Sequence, residues 1–363
     1  MIFSSSFFKK YLLPGFVFQS VVIAGGYGTG RELVEYFLNY GSLGGLLGMF
    51  LVTTLIWSLL LVVSFEFSRK FKAYDYRTFF IKLLGPGWFI FEILYLIFLF
   101  VVLAVIGSAA GVLLRDNFKL PYLVGVGIML AAIGILTFKG GALIEKFLSS
   151  WSIVLYLVYA AFFVIAYLKF GSDIQKNLAE AVVKPKWALG GFKYALYNIG
   201  VIPAVFFCLN HIQSRKEAIG AGLLGGMIGI FPGFLFYISV VGHYPLVLAE
   251  EVPAVFVLQK TGIPILLIIF QIVLFGTLIE TGTGFIHAVN ERLNSALRSL
   301  GKQLKVWQRP LVAVILLGIS LAISSFGLIA LIAKGYGTIS WGFFFVFLLP
   351  LLSVGVYKIS KSN

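Results

Sequence analysis

Long apolar runs recur along almost the whole chain, and the short stretches between them hold most of the charged residues. A helix needs about 20 apolar residues to cross the roughly 30 Å of hydrocarbon in a bilayer. Repeated runs of about this length predict an all-α polytopic membrane protein with ten transmembrane helices. The predicted segments are 14–40, 43–67, 87–114, 121–138, 143–168, 190–211, 218–242, 263–290, 309–332 and 336–357.

The composition agrees with a bilayer as the surroundings of the chain. Of 363 residues, 60% are hydrophobic and only 12% are charged, about half the charged fraction of an average soluble protein. The net charge of +14 is explained by basic loops at a membrane surface, because the chain has no recognisable nucleic-acid module. We therefore expect no nucleic-acid partner, and the oligomeric state stays open.

The basic residues between the predicted segments are divided unevenly, by about two to one in favour of the side that holds the N-terminus. Basic loops favour the cytoplasmic face. The sequence therefore predicts that both termini lie in the cytoplasm and that the chain resides in a bacterial inner membrane. Two amphipathic stretches, 68–85 and 245–259, are expected to form helices on the membrane surface.

A polar stretch at 171–189 divides the ten segments into five and five. Two halves with an odd number of segments must have opposite orientations in the membrane if they share a fold. The predicted organisation is a first five-helix repeat at 1–170, an extracellular loop at 171–189 and a second repeat at 190–363.

The first and sixth segments, which correspond in such an arrangement, are both interrupted. The first contains AGGYGTG at 24–30 and the sixth contains YNIGVIPA at 197–204. Glycine weakens a helix and proline removes a backbone donor, so we expect residues 25–30 and 198–203 to be non-helical and to face each other near the midplane. The residues expected to bind the solute are Gly25, Gly26, Tyr27, Gly28, Gly30, Arg31, Glu32, Asn198, Gly200 and Phe206.

Charged residues follow the first break directly. Glu32 lies in the first turn of the outer half-helix, where the helix dipole stabilises a carboxylate. It either caps this helix or binds a solute amine or a coupling ion. Arg31 and Glu35 are four residues apart and are expected to form an ion pair on the helix surface.

The eighth segment carries Glu280, Thr283, His287 and Asn290 at spacings of three, four and three residues. This spacing places them in one polar stripe, the shape of a proton or water path. Glu280 is therefore a candidate proton carrier, and the alternative is a structural pair with a base on another segment. We expect no cofactor and no bound metal.

The sequence VVIAGGYGTGRELVEYFLNYGSLGGLLG at 21–48 resembles the first-segment motif of the bacterial YkvI-type membrane proteins. These are permeases of the amino acid, polyamine and organocation superfamily, whose members have a LeuT-like fold. The resemblance implies two inverted five-helix repeats, a solute between segments one and six, and coupling to an ion. It also implies sodium as an alternative to the proton, with Thr277 and Thr281 as candidate ligands.

The family pattern reads Gly-Gln-Glu where this chain has Gly30, Arg31 and Glu32. An arginine beside the solute could select an anion that glutamine would not. The substrate of the family therefore does not carry over directly to this chain.

Together these features predict an ion-coupled secondary transporter, acting as a symporter by alternating access. Its solute would be small and polar, an amino acid or a related amine or zwitterion. The alternative is a membrane sensor or scaffold that has a transporter-like fold but does not transport. The sequence lacks paired catalytic aspartates, a histidine cluster and a Ser-His pair at membrane depth, so we do not expect an enzyme.

Overall fold

Apolar helices joined by short turns make up the part of the chain that the computed structural model describes, which is residues 5–23, 25–138, 141–298, 301–305 and 307–361. Within these residues, six unbroken helices are long and apolar enough to cross a membrane. A pair of helices bent by 63° gives a seventh if it is one span. Two shorter apolar helices and the broken first segment bring the number of segments to ten.

The ten predicted segments are thus present in the described residues, and we number them in chain order. They are segment 1, Leu13–Val22 with Gly25–Gly28 and Arg31–Tyr36; segment 2, Ser42–Phe71; segment 3, Trp88–Phe118; segment 4, Tyr122–Phe138; segment 5, Gly141–Ala179; segment 6, Trp187–Ile199 with Ile202–His211; segment 7, Arg215–Val241; segment 8, Pro264–Arg298; segment 9, Gln308–Ser324; and segment 10, Leu328–Lys361.

Several predicted boundaries differ from those in the structure, two of them at segments 5 and 9. Segment 5 continues as a helix to Ala179 with a kink at Phe170 (φ −122°, ψ 19°), so the connection before segment 6 is only 180–186 and not 171–189. The polar residues here can continue the helix because helical hydrogen bonds pair their backbone N–H and C=O groups, whether or not the side chains face water. Segment 9 ends at Ser324 instead of near 332, because Gly327 takes a left-handed backbone (φ 81°) and segment 10 begins there.

Both stretches that were predicted to form surface helices contain a helix, with different bounds. The first is Tyr76–Leu84; it begins at Asp75, whose carboxylate accepts a hydrogen bond from the amide of Thr78 (2.8 Å), and it ends at Gly85. Residues 68–71, which we assigned to this helix, continue segment 2 instead. The second consists of a short 3₁₀ turn, Leu246–Ala249, and the helix Pro253–Thr261. We call residues 246–261 the lid.

Segment 7 packs along segment 2, and glycines make this close approach possible. A β-carbon at Gly222 would lie 2.6 Å from the Cα atom of Val62. Segment 2 is also tied to segment 6, because the indole of Trp57 donates a hydrogen bond to the carbonyl oxygen of Ala195 (3.1 Å). This hydrogen bond holds the helix Trp187–Ile199 of segment 6 against segment 2, on which segment 7 packs.

Candidate functional site

The first segment breaks on both sides of a single helical turn. Its first helix ends at Ile23, which has non-helical angles (φ −76°, ψ 63°), and residues Gly25–Gly28 form one turn. The chain then leaves the helix at Gly30, where φ is +78°, before Arg31–Tyr36. The prediction that all of 25–30 is non-helical is therefore wrong for 25–28. Ala24, which we placed in the interruption, lies outside the described residues.

The sixth segment breaks later than expected. Its first helix runs through Asn198 to Ile199, and the break is at Gly200 and Val201. A ten-residue 3₁₀ helix, Ile202–His211, follows at an angle of 63°. The prediction of a non-helical 198–203 is wrong at both ends. Asn198 still belongs to the first helix. Pro203 lies near the start of the 3₁₀ helix, where its missing amide hydrogen is not needed for a helical hydrogen bond.

Several of the predicted solute-binding residues face packed protein. The amide of Asn198 donates to the carbonyl oxygen of Tyr194 one turn earlier (3.0 Å). Phe206 stacks on Phe79 of the surface helix, with ring centroids 4.4 Å apart. A β-carbon at Gly28 would lie 2.7 Å from the Leu274 side chain. At these positions the sequence signal reflects close packing.

Glycines at the breaks serve different purposes. Gly30 supplies the left-handed turn that restarts the helix. A β-carbon at Gly200 would lie 2.7 Å from the ring of Phe343 on segment 10. Gly25 and Gly26 belong to the single helical turn. Tyr27, in the same turn, is buried, and its hydroxyl oxygen has no hydrogen-bond partner among the described residues.

The Arg31 side chain points toward the lid. Its guanidinium donates to the carbonyl oxygens of Leu248 (2.8 Å) and Glu250 (3.0 Å) and pairs with Glu35 (2.9 Å), as the sequence predicted for that pair. The side chain is only 3% exposed. The amide of Ala254 adds a bond to the carbonyl oxygen of Thr29 (3.1 Å). Arg31 therefore fastens the lid to the break in segment 1.

Glu32 is buried, 4% exposed, in a cluster of tyrosines. The hydroxyl of Tyr197 donates a short hydrogen bond to its carboxylate. The Tyr197 ring stacks on Tyr336 of segment 10, with centroids 4.6 Å apart, and the hydroxyl of Tyr36 donates to the carbonyl oxygen of Ile332 (2.7 Å). These contacts join segments 1, 6 and 10.

We call this region the sealed side: residues 31–36, residues 187–199 and the lid. We call the other ends of segments 1 and 6 the cavity side: Leu13–Val22, Ile202–His211 and the adjoining residues 280–288 of segment 8.

A cavity of about 310 Å³ lies on the cavity side, and we call it the solute cavity. It reaches Ile23 at the first break and Ala204 just after the second. It therefore lies where both interruptions and segment 8 meet. Its lining residues are Ser20, Val21, Ile23, Tyr95, Leu155, Tyr156, Ala204, Glu280, Thr281, Gly284, Phe285 and Ala288.

Segment 8 contributes only part of its predicted polar stripe to this cavity. Glu280 and Thr281 line it, whereas Thr283 and His287 do not. Thr283 is fully buried, and its hydroxyl has no hydrogen-bond partner among the described residues. Thr277 is also buried, and its hydroxyl donates to the carbonyl oxygen of Val273 (2.9 Å). The lining residues fall on one helix face that diverges from the stripe.

An arginine stack supports the wall of the cavity, and the sequence analysis missed it. Arg292 of segment 8 lies between the rings of Tyr76 (4.0 Å) and Tyr95 (3.8 Å), and it also contacts Glu92 (3.4 Å). Burial raises the pKa of Tyr76 to about 12, so this phenol stays neutral. Tyr95 lines the cavity, and the cation–π contact with the Arg292 guanidinium holds its ring in place.

Tyr95 and Tyr156, both missed as lining residues, carry a weak signal in the sequence. Each is a polar aromatic residue in the middle of an apolar run, but the chain has 17 tyrosines and 37 phenylalanines. In such a chain an aromatic residue does not by itself indicate a cavity. The described residues contain no group of three or more His, Cys, Asp or Glu placed to hold a metal ion.

Comparison with known structures shows the class of protein. A substrate-bound, outward-open Na⁺-coupled sialic acid symporter aligns over 95% of this chain and 87% of its own, with a TM-score of 0.54 and 15% identity. A mutant of the Eremococcus coleocola manganese transporter aligns over 95% of this chain and 78% of its own, with a TM-score of 0.53 and 14% identity. The chain is an all-α membrane protein with the LeuT-like fold, as predicted.

A sequence comparison gives a more particular similarity. The chain is 25% identical over 291 residues to the uncharacterized membrane protein YkvI of Bacillus subtilis (strain 168), which covers 78% of this chain and 80% of that protein. No family model matches the sequence. The predicted resemblance to YkvI-type proteins is confirmed. These matches are named as membrane proteins and transporters, in agreement with the prediction that the chain is not an enzyme.

Proposed function

We propose that the protein is an ion-coupled secondary transporter of a small polar solute, an amino acid or a related amine or zwitterion. The observation that carries the proposal is the position of the solute cavity, which touches Ile23 at the first break, Ala204 after the second, and Glu280. Interrupted helices at a shared cavity are typical of transporters that work by alternating access.

The charges around the cavity support an amine or a zwitterion over an anion. Among the lining residues that the structure describes, Glu280 has the one charged side chain. Arg31, the residue that could have selected an anion, is bound to lid carbonyls and Glu35 instead. A solute with a net negative charge would therefore meet the carboxylate of Glu280 on the cavity wall, which opposes its binding.

For the coupling ion we propose the proton, carried by Glu280. A carboxylate on the wall of a cavity can exchange protons with water in one state of the transport cycle and lose that access in the other. Sodium is the second candidate, because the sialic acid symporter that shares the fold is named as Na⁺-coupled. In this proposal Thr277 and Thr281 are the candidate ligands, and of the two only Thr281 faces the cavity.

The proposed arrangement in the cell is a bacterial inner-membrane protein with both termini in the cytoplasm, which places the solute cavity on the cytoplasmic side. Reporter fusions at the C-terminus test this orientation. An external C-terminus would contradict it and would also contradict two inverted repeats of five segments.

The test of transport is counterflow in proteoliposomes loaded with unlabelled amino acids or amines. Entry of the labelled solute against a preloaded unlabelled pool is expected only for a transporter. A protein that binds solutes but shows no counterflow in any series would instead be a membrane sensor or scaffold. Imposed pH and sodium gradients, applied separately, then identify the coupling ion.

A further inference from the structure

A second cavity adjoins the solute cavity, and one side chain belongs to both. The second cavity has a volume of about 360 Å³ and lies between segments 1, 5 and 7; we call it the side cavity. Tyr156 of segment 5 lines both cavities. On segment 1, Ser20 lines the solute cavity and its neighbour Gln19 lines the side cavity.

The side cavity has walls of a different chemistry. Apart from Gln19 and the two tyrosines, its lining is apolar: Phe16, Ala160, Phe231, Pro232, Leu235 and Phe236. Phe16 and Phe231 are 44% and 55% exposed, on a surface formed by apolar helices. The side cavity therefore lies at the lipid-facing surface of the protein, whereas the solute cavity carries Glu280 and Thr281.

The partition between the two cavities is weakly held. The hydroxyl of Tyr156 donates to the side-chain oxygen of Gln19 over 3.3 Å, while the Gln19 amide is fixed by the carbonyl oxygen of Ile228 (2.7 Å). The hydroxyl of Tyr159, also on this wall, is buried without a hydrogen-bond partner among the described residues. A rotation of Tyr156 would break this one long hydrogen bond and would move the ring that lines both cavities.

We propose that the solute is amphipathic, with a polar amine-bearing head in the solute cavity and an apolar arm that extends past Tyr156 into the side cavity. This inference rests on the proposed function, and it narrows the solute from small polar molecules in general to amines that carry a hydrocarbon or aromatic arm. The change of wall chemistry at a single shared residue is the observation that carries it.

The test is a binding series of straight-chain primary amines, from ethylamine to octylamine, on the purified full-length protein in lipid nanodiscs. Burial of a methylene group in an apolar site strengthens binding by about fourfold. We expect affinity to rise by about this factor per methylene once the chain is long enough to pass Tyr156. Partition into the lipid has a similar dependence on chain length, so variants measured in identical nanodiscs supply the decisive comparison.

Ala160→Phe fills the side cavity from an exposed position on its wall. The variant is expected to lose the additional chain-length dependence and to keep its affinity for ethylamine. Leu157→Phe is the matched control, because Leu157 is 66% exposed and lines neither cavity. It should behave like the unmodified protein. The same chain-length dependence in both variants would overturn the proposal, as would a flat series in the unmodified protein, the result expected if a lipid chain fills the side cavity.

The two proposals fail in different ways. Counterflow of short amines without a difference between Ala160→Phe and Leu157→Phe would refute the apolar arm and leave transport intact. A chain-length dependence that Ala160→Phe removes, together with no counterflow for any amine, would refute transport and keep the amphipathic ligand.

Discussion

The sealed side and the cavity side of the pathway are built from the same two broken segments, yet they are filled differently. On the sealed side, Arg31, Glu32 and Tyr197 all have partners in neighbouring segments or the lid. On the cavity side, Glu280 lies on the wall of a space of about 310 Å³. The comparison teaches that charge near a break is used in two ways: on the sealed side it binds neighbouring elements together, and on the cavity side it lines an open space.

The largest expected effect comes from the cavity side. Glu280→Gln keeps the shape of the side chain but removes its titration, so pH-driven uptake in proteoliposomes should be abolished while solute exchange persists. Thr281→Val is the control for the sodium alternative, and it should leave pH-driven uptake unchanged. Sodium-dependent uptake that Thr281→Val weakens more than Glu280→Gln does would assign the coupling ion to sodium and end the proton role of Glu280.

On the sealed side, Arg31→Ala is expected to have the largest effect on stability. It removes two charged hydrogen bonds to the lid and an ion pair, with an expected loss of about 3 kcal/mol in the free energy of unfolding. Arg115→Ala is the matched control, since Arg115 also binds the lid, through Glu251 (2.5 Å), but is partly exposed. It should cost about 1 kcal/mol or less. Equal losses of melting temperature would show that Arg31 does not hold the lid.

A glycine substitution tests how tightly the break is packed. Gly28→Ala places a methyl group against Leu274 and Tyr159, and overpacking of this kind is expected to cost about 2 kcal/mol. Gly318→Ala in segment 9 is the control, because a β-carbon there meets no atom within 4 Å. It should stabilise the helix by roughly 0.5–1 kcal/mol. Thermal melting of the two variants should therefore shift in opposite directions, and a stabilised Gly28→Ala would mean that the break is loosely packed.

The smallest effect is a difference between two hydroxyl deletions on the sealed side. Tyr197→Phe removes the hydrogen bond to the Glu32 carboxylate, whereas Tyr36→Phe removes one to the neutral carbonyl of Ile332. Hydrogen bonds to charged groups contribute about 1.5–3 kcal/mol and neutral ones about 1. Tyr197→Phe should thus lower the melting temperature more. A larger loss from Tyr36→Phe would indicate that Glu32 does not depend on Tyr197.

Much of the fold could be predicted, because segment length and the position of breaks depend on local properties. The ten segments, the interruption in segments 1 and 6, and the Arg31–Glu35 pair all follow from hydropathy, glycine and helical spacing. The exact position of the second break could not, since Asn198 remains helical and the chain bends only at Gly200.

The candidate site was less predictable than the fold. In a soluble protein a polar stripe identifies the face of a helix that meets water. In a membrane protein the lipid-facing, buried and cavity-facing sides are all mostly apolar, so spacing alone could not separate Glu280 from Thr283. The docking of Arg31 on the lid depends on residues more than 200 positions away, which local pattern does not reveal.

The 3₁₀ helix at Ile202–His211 makes segment 6 longer than an α-helix of the same residues would. Runs of 3₁₀ helix beyond three or four residues are uncommon, and this one has ten. A 3₁₀ helix rises about 2.0 Å per residue and an α-helix 1.5 Å. Rewinding the whole run as α-helix would draw its far end in by about 5 Å while the helix Trp187–Ile199 stays in place. How these ten residues are wound therefore sets the length of segment 6 on the cavity side.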